Sequence, residues 1–99
     1  MVHIETTPEA DASASRIPRE VLREFTAITD EWASLLVLKL PGSYNTHKLR
    51  DSRDLWTLKL PEGTPPPDRD YRCVYQWTGS EIVLIRYGHW KNVYEHLPR

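Results

Sequence analysis

The amino-acid sequence predicts an α+β domain in which a short N-terminal strand and two helices precede three antiparallel strands and a short C-terminal segment. Three observations carry that expectation. Apolar residues recur at three- and four-residue steps from Val21 to Leu36, the period of a helix face. They alternate at period two from Leu55 to Leu60. Two runs rich in aromatic and β-branched residues, 71–77 and 81–87, are separated by only Thr78, Gly79 and Ser80, the composition of a tight hairpin. With 99 residues the chain has room for one hydrophobic core and not for two, so residues 1–99 form a single domain.

Taken in order, residues 2–6 are rich in β-branched side chains and read as an edge strand. Thr7, Pro8 and Glu9 then supply an N-cap, a proline at the first helical position and an acid in the first turn, which predicts a helix over 8–15. Pro18 interrupts it and starts a longer helix, whose stripe is Val21, Leu22, Phe25, Ile28, Trp32 and Leu35 or Leu36. The two helices are expected to pair and lie on one sheet face. Residues 44–54 mix Asn45, His47, Lys48, Arg50, Asp51 and Arg53 without an apolar period and read as loop. From 55 to 60, Trp56, Leu58 and Leu60 point to the core while Leu55, Thr57 and Lys59 point to a largely wet face. Residues 61–67 contain four prolines, so a stiff, polyproline-like excursion is expected before the chain turns back.

Composition excludes several classes of protein. Cys73 is the single cysteine, so an internal disulfide framework and a thiolate zinc cage are ruled out, and His3, His47 and His96 show no ligand spacing; no metal site and no cofactor are expected. The longest apolar run, 35–38, is far short of the roughly 20 residues a membrane span needs, and the N-terminus lacks the order of a signal peptide. A cytoplasmic protein with no membrane contact is the expectation. Net charge is -1, yet residues 1–35 carry three Arg against seven acids while residues 36–99 carry ten Lys or Arg against seven acids. The basic part permits contact with a polyanion.

The phrases KLRDSRDLWTLKL, DYRCVYQW, EIVLIRYGH and VYE, in that order over residues 48–95, together with TPEADASASRIPREVL, resemble the RelE/ParE toxin superfamily. The resemblance spans nearly the whole chain. It implies the RelE-like fold, and a toxin that cleaves mRNA, commonly on the ribosome and without metal, using the RNA 2'-hydroxyl as nucleophile, with a cognate antitoxin as partner. Carried over by position, it implies catalytic roles for Lys59 and Arg72, with Tyr94 to stack on a base or move a proton. The chain departs from the pattern at Thr57, where relatives often hold a second lysine, and at His89, Trp90 and Lys91, where they hold an arginine. His89 is then a substitute proton carrier and Lys91 a substitute charge. Lys48, Arg50 and Arg53 are candidates for tracking the RNA backbone. A ParE-like inhibitor of DNA gyrase with no catalysis of its own, or a family member acting only as a binding module, would share the fold.

Each of these residues also has a structural reading. Lys59 is a solvated charge by default, and Arg72 has Asp70 or Glu81 as ordinary ion-pair partners. His89 stands at a strand end where histidine commonly packs or caps. Trp90 reads as a core or partner-anchoring aromatic.

Overall fold

The structure, a computed structural model, describes residues 3–34, 46–50, 52, 54–79 and 81–97. Strand β1 (His3–Thr6) leads into α1 (Pro8–Ala14) and α2 (Arg19–Ala33). The chain then enters β2 (Thr46–Lys48), β3 (Leu55–Lys59), β4 (Tyr71–Trp77) and β5 (Glu81–His89). These strands make one sheet in the order β1-β5-β4-β3-β2. All neighbours are antiparallel except β1, which runs parallel to β5 with His3 opposite Glu81.

The expected α+β class and the two-helix layer stand, and the sheet differs from expectation in two ways. The segment read as a loop contains β2, paired with β3 through Thr46–Leu58, His47–Thr57 and Lys48–Trp56. Its polar side chains hid it, because an edge strand of three residues buries only one of them, Thr46. The sheet is also mixed, since the N-terminal strand lies beside the last strand and not beside its sequence neighbour. Val2, Leu35, Leu36, Asn45, Asp51, Arg53 and Ser80, all used in the sequence reading, lie outside the described residues.

Helix α1 starts as predicted, with the Thr7 hydroxyl accepting a hydrogen bond from the Ala10 N–H at 3.0 Å, Pro8 in the first turn and Glu9 and Asp11 near the positive end of the helix. Its task is to cover the β5 edge beyond the end of β1. The Thr7 hydroxyl donates to the Ile85 carbonyl at 3.1 Å, and the buried Ser13 hydroxyl accepts from the Tyr87 N–H at 2.9 Å. Backbone groups that would otherwise be buried without partners are thereby satisfied. Helix α2 buries Val21, Phe25, Thr29 and Trp32, with Leu22 and Ile28 half-buried at the margins. Phe25 meets Tyr87 at a ring separation of 5.8 Å and Trp32 meets Tyr75 at 5.2 Å. Each such side chain contributes about 1.5–3 kcal/mol by leaving water. Thr29 escapes the desolvation penalty by donating to the Phe25 carbonyl at 3.1 Å. Cys73 is fully buried in this core, and burial pushes its thiol pKa well above the ordinary value.

The other sheet face is not wet. Leu55, Val74 and Ile85 form a second, smaller core with Val93 and Leu97, because residues 90–97 fold back across the sheet. Leu55 and Thr57, expected to face water, are 6% and 3% exposed. Nor is the proline-rich segment extended. The Thr64 N–H donates to the Pro61 carbonyl at 3.2 Å, Gly63 takes a left-handed φ of +92°, and a 3₁₀ turn over Asp68–Asp70 leads into β4. Gly63 can adopt that conformation without the penalty a Cβ brings, which closes the turn.

Candidate functional site

Lys59 and Arg72 are direct cross-strand partners on β3 and β4, and Gly88 continues the row onto β5. Partners in an antiparallel pair project to the same side, here the side of residues 90–97 and away from the helices. Both side chains are half-buried. Arg72 does not pair with Asp70 or Glu81. Its Nη1 donates to the carbonyls of Arg69 at 2.6 Å and Tyr71 at 3.0 Å, which holds the guanidinium beside the β3–β4 loop. Among the described residues, the Lys59 ammonium has no hydrogen-bond or ion-pair partner. Two like charges facing each other across a strand pair cost stability. The fold therefore tolerates this cationic pair; it gains nothing from it.

Tyr94 comes to the same face. Its hydroxyl shares a hydrogen bond of 3.1 Å with the Thr57 hydroxyl, two residues from Lys59 along β3. Residues 90–97 carry little regular backbone bonding, and two residues of β5 hold them in place. Arg86 donates through Nη1 to the carbonyls of Val93, at 3.0 Å, and Glu95, so it grips the chain on both sides of Tyr94. Its Nε donates to the Glu9 carboxylate at 2.7 Å, which ties α1 into the same clamp. Gly88 lets the chain pass close, for a Cβ there would stand 3.3 Å from the Val93 side chain. Neither Arg86 nor Gly88 was a sequence candidate. A signal existed in the lone charge within the otherwise apolar run from Ile82 to Tyr87, since such a charge is buried only when it is paired.

The remaining candidates are distributed differently. His89 is the register partner of Tyr71, whose ring packs against the helix-side core, so strand parity turns it away from the Lys59–Arg72 row. The two rings meet edge to face at 5.7 Å, and Nε2 stands 3.7 Å from an Asp70 carboxylate oxygen. Lys91 is exposed, with its ammonium 5.9 Å from the centre of the Trp90 ring. Trp90 itself is 47% exposed, which removes the core reading. Lys48 closes its own loop by donating to the Ser52 carbonyl at 2.6 Å, and Arg50 is exposed nearby.

Linear spacing predicted no metal ligands, yet the parallel pairing gathers His3, Glu5 and Glu81, whose ligand atoms all lie within 4.8 Å of one another. His3 already bonds Glu5 at 2.9 Å, and that bond raises the imidazole pKa. Among the described residues no helix is long and apolar enough to cross a membrane.

Comparison with solved structures identifies the architecture as the RelE-like fold. A chain of the RelB–RelE antitoxin–toxin complex of Methanococcus jannaschii superposes with a TM-score of 0.69 at 15% identity, covering 95% of this chain and 99% of that one. A chain of the E. coli DinJ–YafQ toxin–antitoxin complex gives 0.63 at 14% identity over 94% and 97% of the two chains. The isolated E. coli RelE toxin gives 0.62 at 18% identity over 90% and 84%. No protein-family model matches the sequence, and no curated protein matches it.

Proposed function

We propose that this chain is the toxin of a toxin–antitoxin pair and that it cleaves mRNA at the Lys59–Arg72 row. The observation that carries the reading is a cationic pair, without a carboxylate partner among the described residues, on a sheet face to which Tyr94 is clamped. In the proposed reaction the 2'-oxygen of a ribose attacks the adjacent phosphorus, the bond to the 5'-oxygen of the next nucleotide breaks, and a 2',3'-cyclic phosphate and a free 5'-hydroxyl result. Negative charge grows on the nonbridging oxygens during attack. Arg72, already oriented by two carbonyls, and Lys59 opposite it are the cations that meet it. The 2'-hydroxyl loses a proton and the leaving oxygen gains one; we assign those roles to Tyr94, whose hydroxyl can accept and donate, and to the Lys59 ammonium. His89 and Lys91 take the lesser part of contacting RNA at the end of β5.

The solved neighbours support this reading, since they include RelE and YafQ toxins, several of them in complexes with antitoxins. We assign the same kind of partner here, with exposed Trp90 as an anchor for it. A reporter transcript in a translating extract tests the proposal: wild-type protein should cut it and Arg72→Ala should not. Equal cutting by both would end the assignment. One observation favours a second reading. Thr57 is buried and engaged with Tyr94 where relatives often hold a lysine, leaving the site one cation poorer, as suits a gyrase inhibitor of the same fold that performs no catalysis. Inhibition of DNA supercoiling with the transcript left intact would select it.

A further inference from the structure

Beside the Lys59–Arg72 row, the β3–β4 loop encloses an open cavity of about 480 Å³. Its lining includes Lys59, Glu62, Arg69 and the prolines 61, 65 and 66. We propose that this cavity is a subsite for the nucleotide adjoining the scissile phosphate, with the backbone phosphate of that nucleotide bound by Arg69. The proposal rests on the ribonuclease reading and extends it by naming where the strand runs.

Four features support it. The first is charge: two cations line the cavity against the single carboxylate of Glu62, and among the described residues the Arg69 side chain, like that of Lys59, has no partner. An unpaired guanidinium presents a fork of donors that matches two phosphate oxygens. The second is continuity, because the Arg69 carbonyl accepts from Arg72 Nη1 at 2.6 Å and Lys59 lines the cavity while standing opposite Arg72. Lys59 thus links the two places, standing opposite Arg72 in the sheet and lining the cavity with Arg69, as a strand carrying one phosphate per nucleotide requires.

The third feature is preorganisation. The loop is closed by Thr64 N–H to the Pro61 carbonyl, Arg69 N–H to the Pro65 carbonyl at 3.3 Å and Asp70 N–H to the Pro67 carbonyl at 3.0 Å. Its prolines further limit the backbone, so little ordering remains to oppose binding. The fourth is the chemistry of the wall. Proline rings are apolar and carry no N–H, so they can cover a base but cannot read its edge. The subsite should therefore bind a nucleotide with little regard to base identity.

The test uses the full chain and oligonucleotides carrying 2'-O-methyl groups, which cannot undergo 2'-oxygen attack, so that binding is read without cleavage. Anisotropy titrations compare a labelled dinucleotide, which holds one phosphate, with a tetranucleotide across a salt series. Arg69→Gln should weaken the tetranucleotide about tenfold at low salt and leave the dinucleotide unchanged. The dependence of log affinity on log salt should lose about 0.7 in slope, the value for one phosphate contact on a single strand. Arg16→Gln, which removes a cation beside α1, should alter neither quantity, and changing the bases of the tetranucleotide should move its Kd less than threefold. Unaltered tetranucleotide binding by Arg69→Gln, or no tetranucleotide binding by the wild type, would overturn the subsite. The ribonuclease reading is judged separately by whether Arg72→Ala still cuts the transcript, so the two can fail independently.

Discussion

The two halves of the candidate site are built by different physics. The Lys59–Arg72 half is a product of strand register: once β3 and β4 pair, the period-two alternation places both cations on one face. The Tyr94 half is a product of tertiary grip, because residues 90–97 hold their place through Arg86, Gly88 and Thr57. A site half made by local pattern and half by distant contacts should respond unevenly to mutation. The first half should lose chemistry while keeping its shape, and the second should lose shape first.

The largest effect is expected at the cationic pair. Lys59→Ala or Arg72→Ala should each lower the cleavage rate by about 10²- to 10³-fold, the range for removing one group that stabilises transition-state charge. Thermal stability should hold or rise slightly for Lys59→Ala because the facing charges repel, whereas Arg72→Ala also gives up two hydrogen bonds to carbonyls and should cost about 1–2 kcal/mol. A large fall in melting temperature together with activity would show that the pair is structural and would erase the distinction between the halves.

Arg86→Gln comes next. It breaks the grip on Val93 and Glu95 and leaves Glu9 without its cation, at a cost of about 2–3 kcal/mol in chemical denaturation. Hydrogen exchange should quicken over residues 90–97 while Cys73, buried under the helices, stays unreactive to thiol reagents in the native state. Rapid labelling of Cys73 in that variant would mean that the halves unfold together. Gly88→Ala should cost about 2 kcal/mol by pushing the Val93 backbone away from β5. Cleavage should fall with it through displacement of Tyr94, and a crystal structure with the C-terminal segment unmoved would refute that coupling. Smallest is Tyr94→Phe, worth about 1 kcal/mol of stability for one hydrogen bond. Thr57→Val removes the same bond from the other side, so a cleavage defect confined to Tyr94→Phe would separate a chemical role of the phenol from its anchoring.

What could be read from the sequence divides along the same line. The caps of α1, the stripe of α2 from Val21 to Trp32 and the core side of β3 at Trp56, Leu58 and Leu60 obey local periods, and each is where the pattern put it. Lys59 and Arg72 fell on one face for that reason. Strand β2 escaped notice because two of its three side chains face water, which leaves no period to detect. Thr57 was read as wet because alternation tells which side a residue faces and not what later covers that side. His89 was grouped with Lys59 and Arg72 as a proton carrier in the segment where relatives hold an arginine, whereas its place opposite Tyr71 turns it to the other face. Arg86 and Gly88 show the same limit, since their partners Glu9 and Val93 are set by the folded chain.

The parallel seam between β1 and β5 bears on how the protein is made. Thr7 and its partner Ile85 are separated by 78 positions, so β1 has no strand neighbour until β5 has been made. Tyr94 lies beyond even that point, and its clamp needs Glu9 from the opposite end of the domain. A chain stopped before β5 therefore holds an unfinished sheet, without the Arg86 grip that fixes the Tyr94 segment across it.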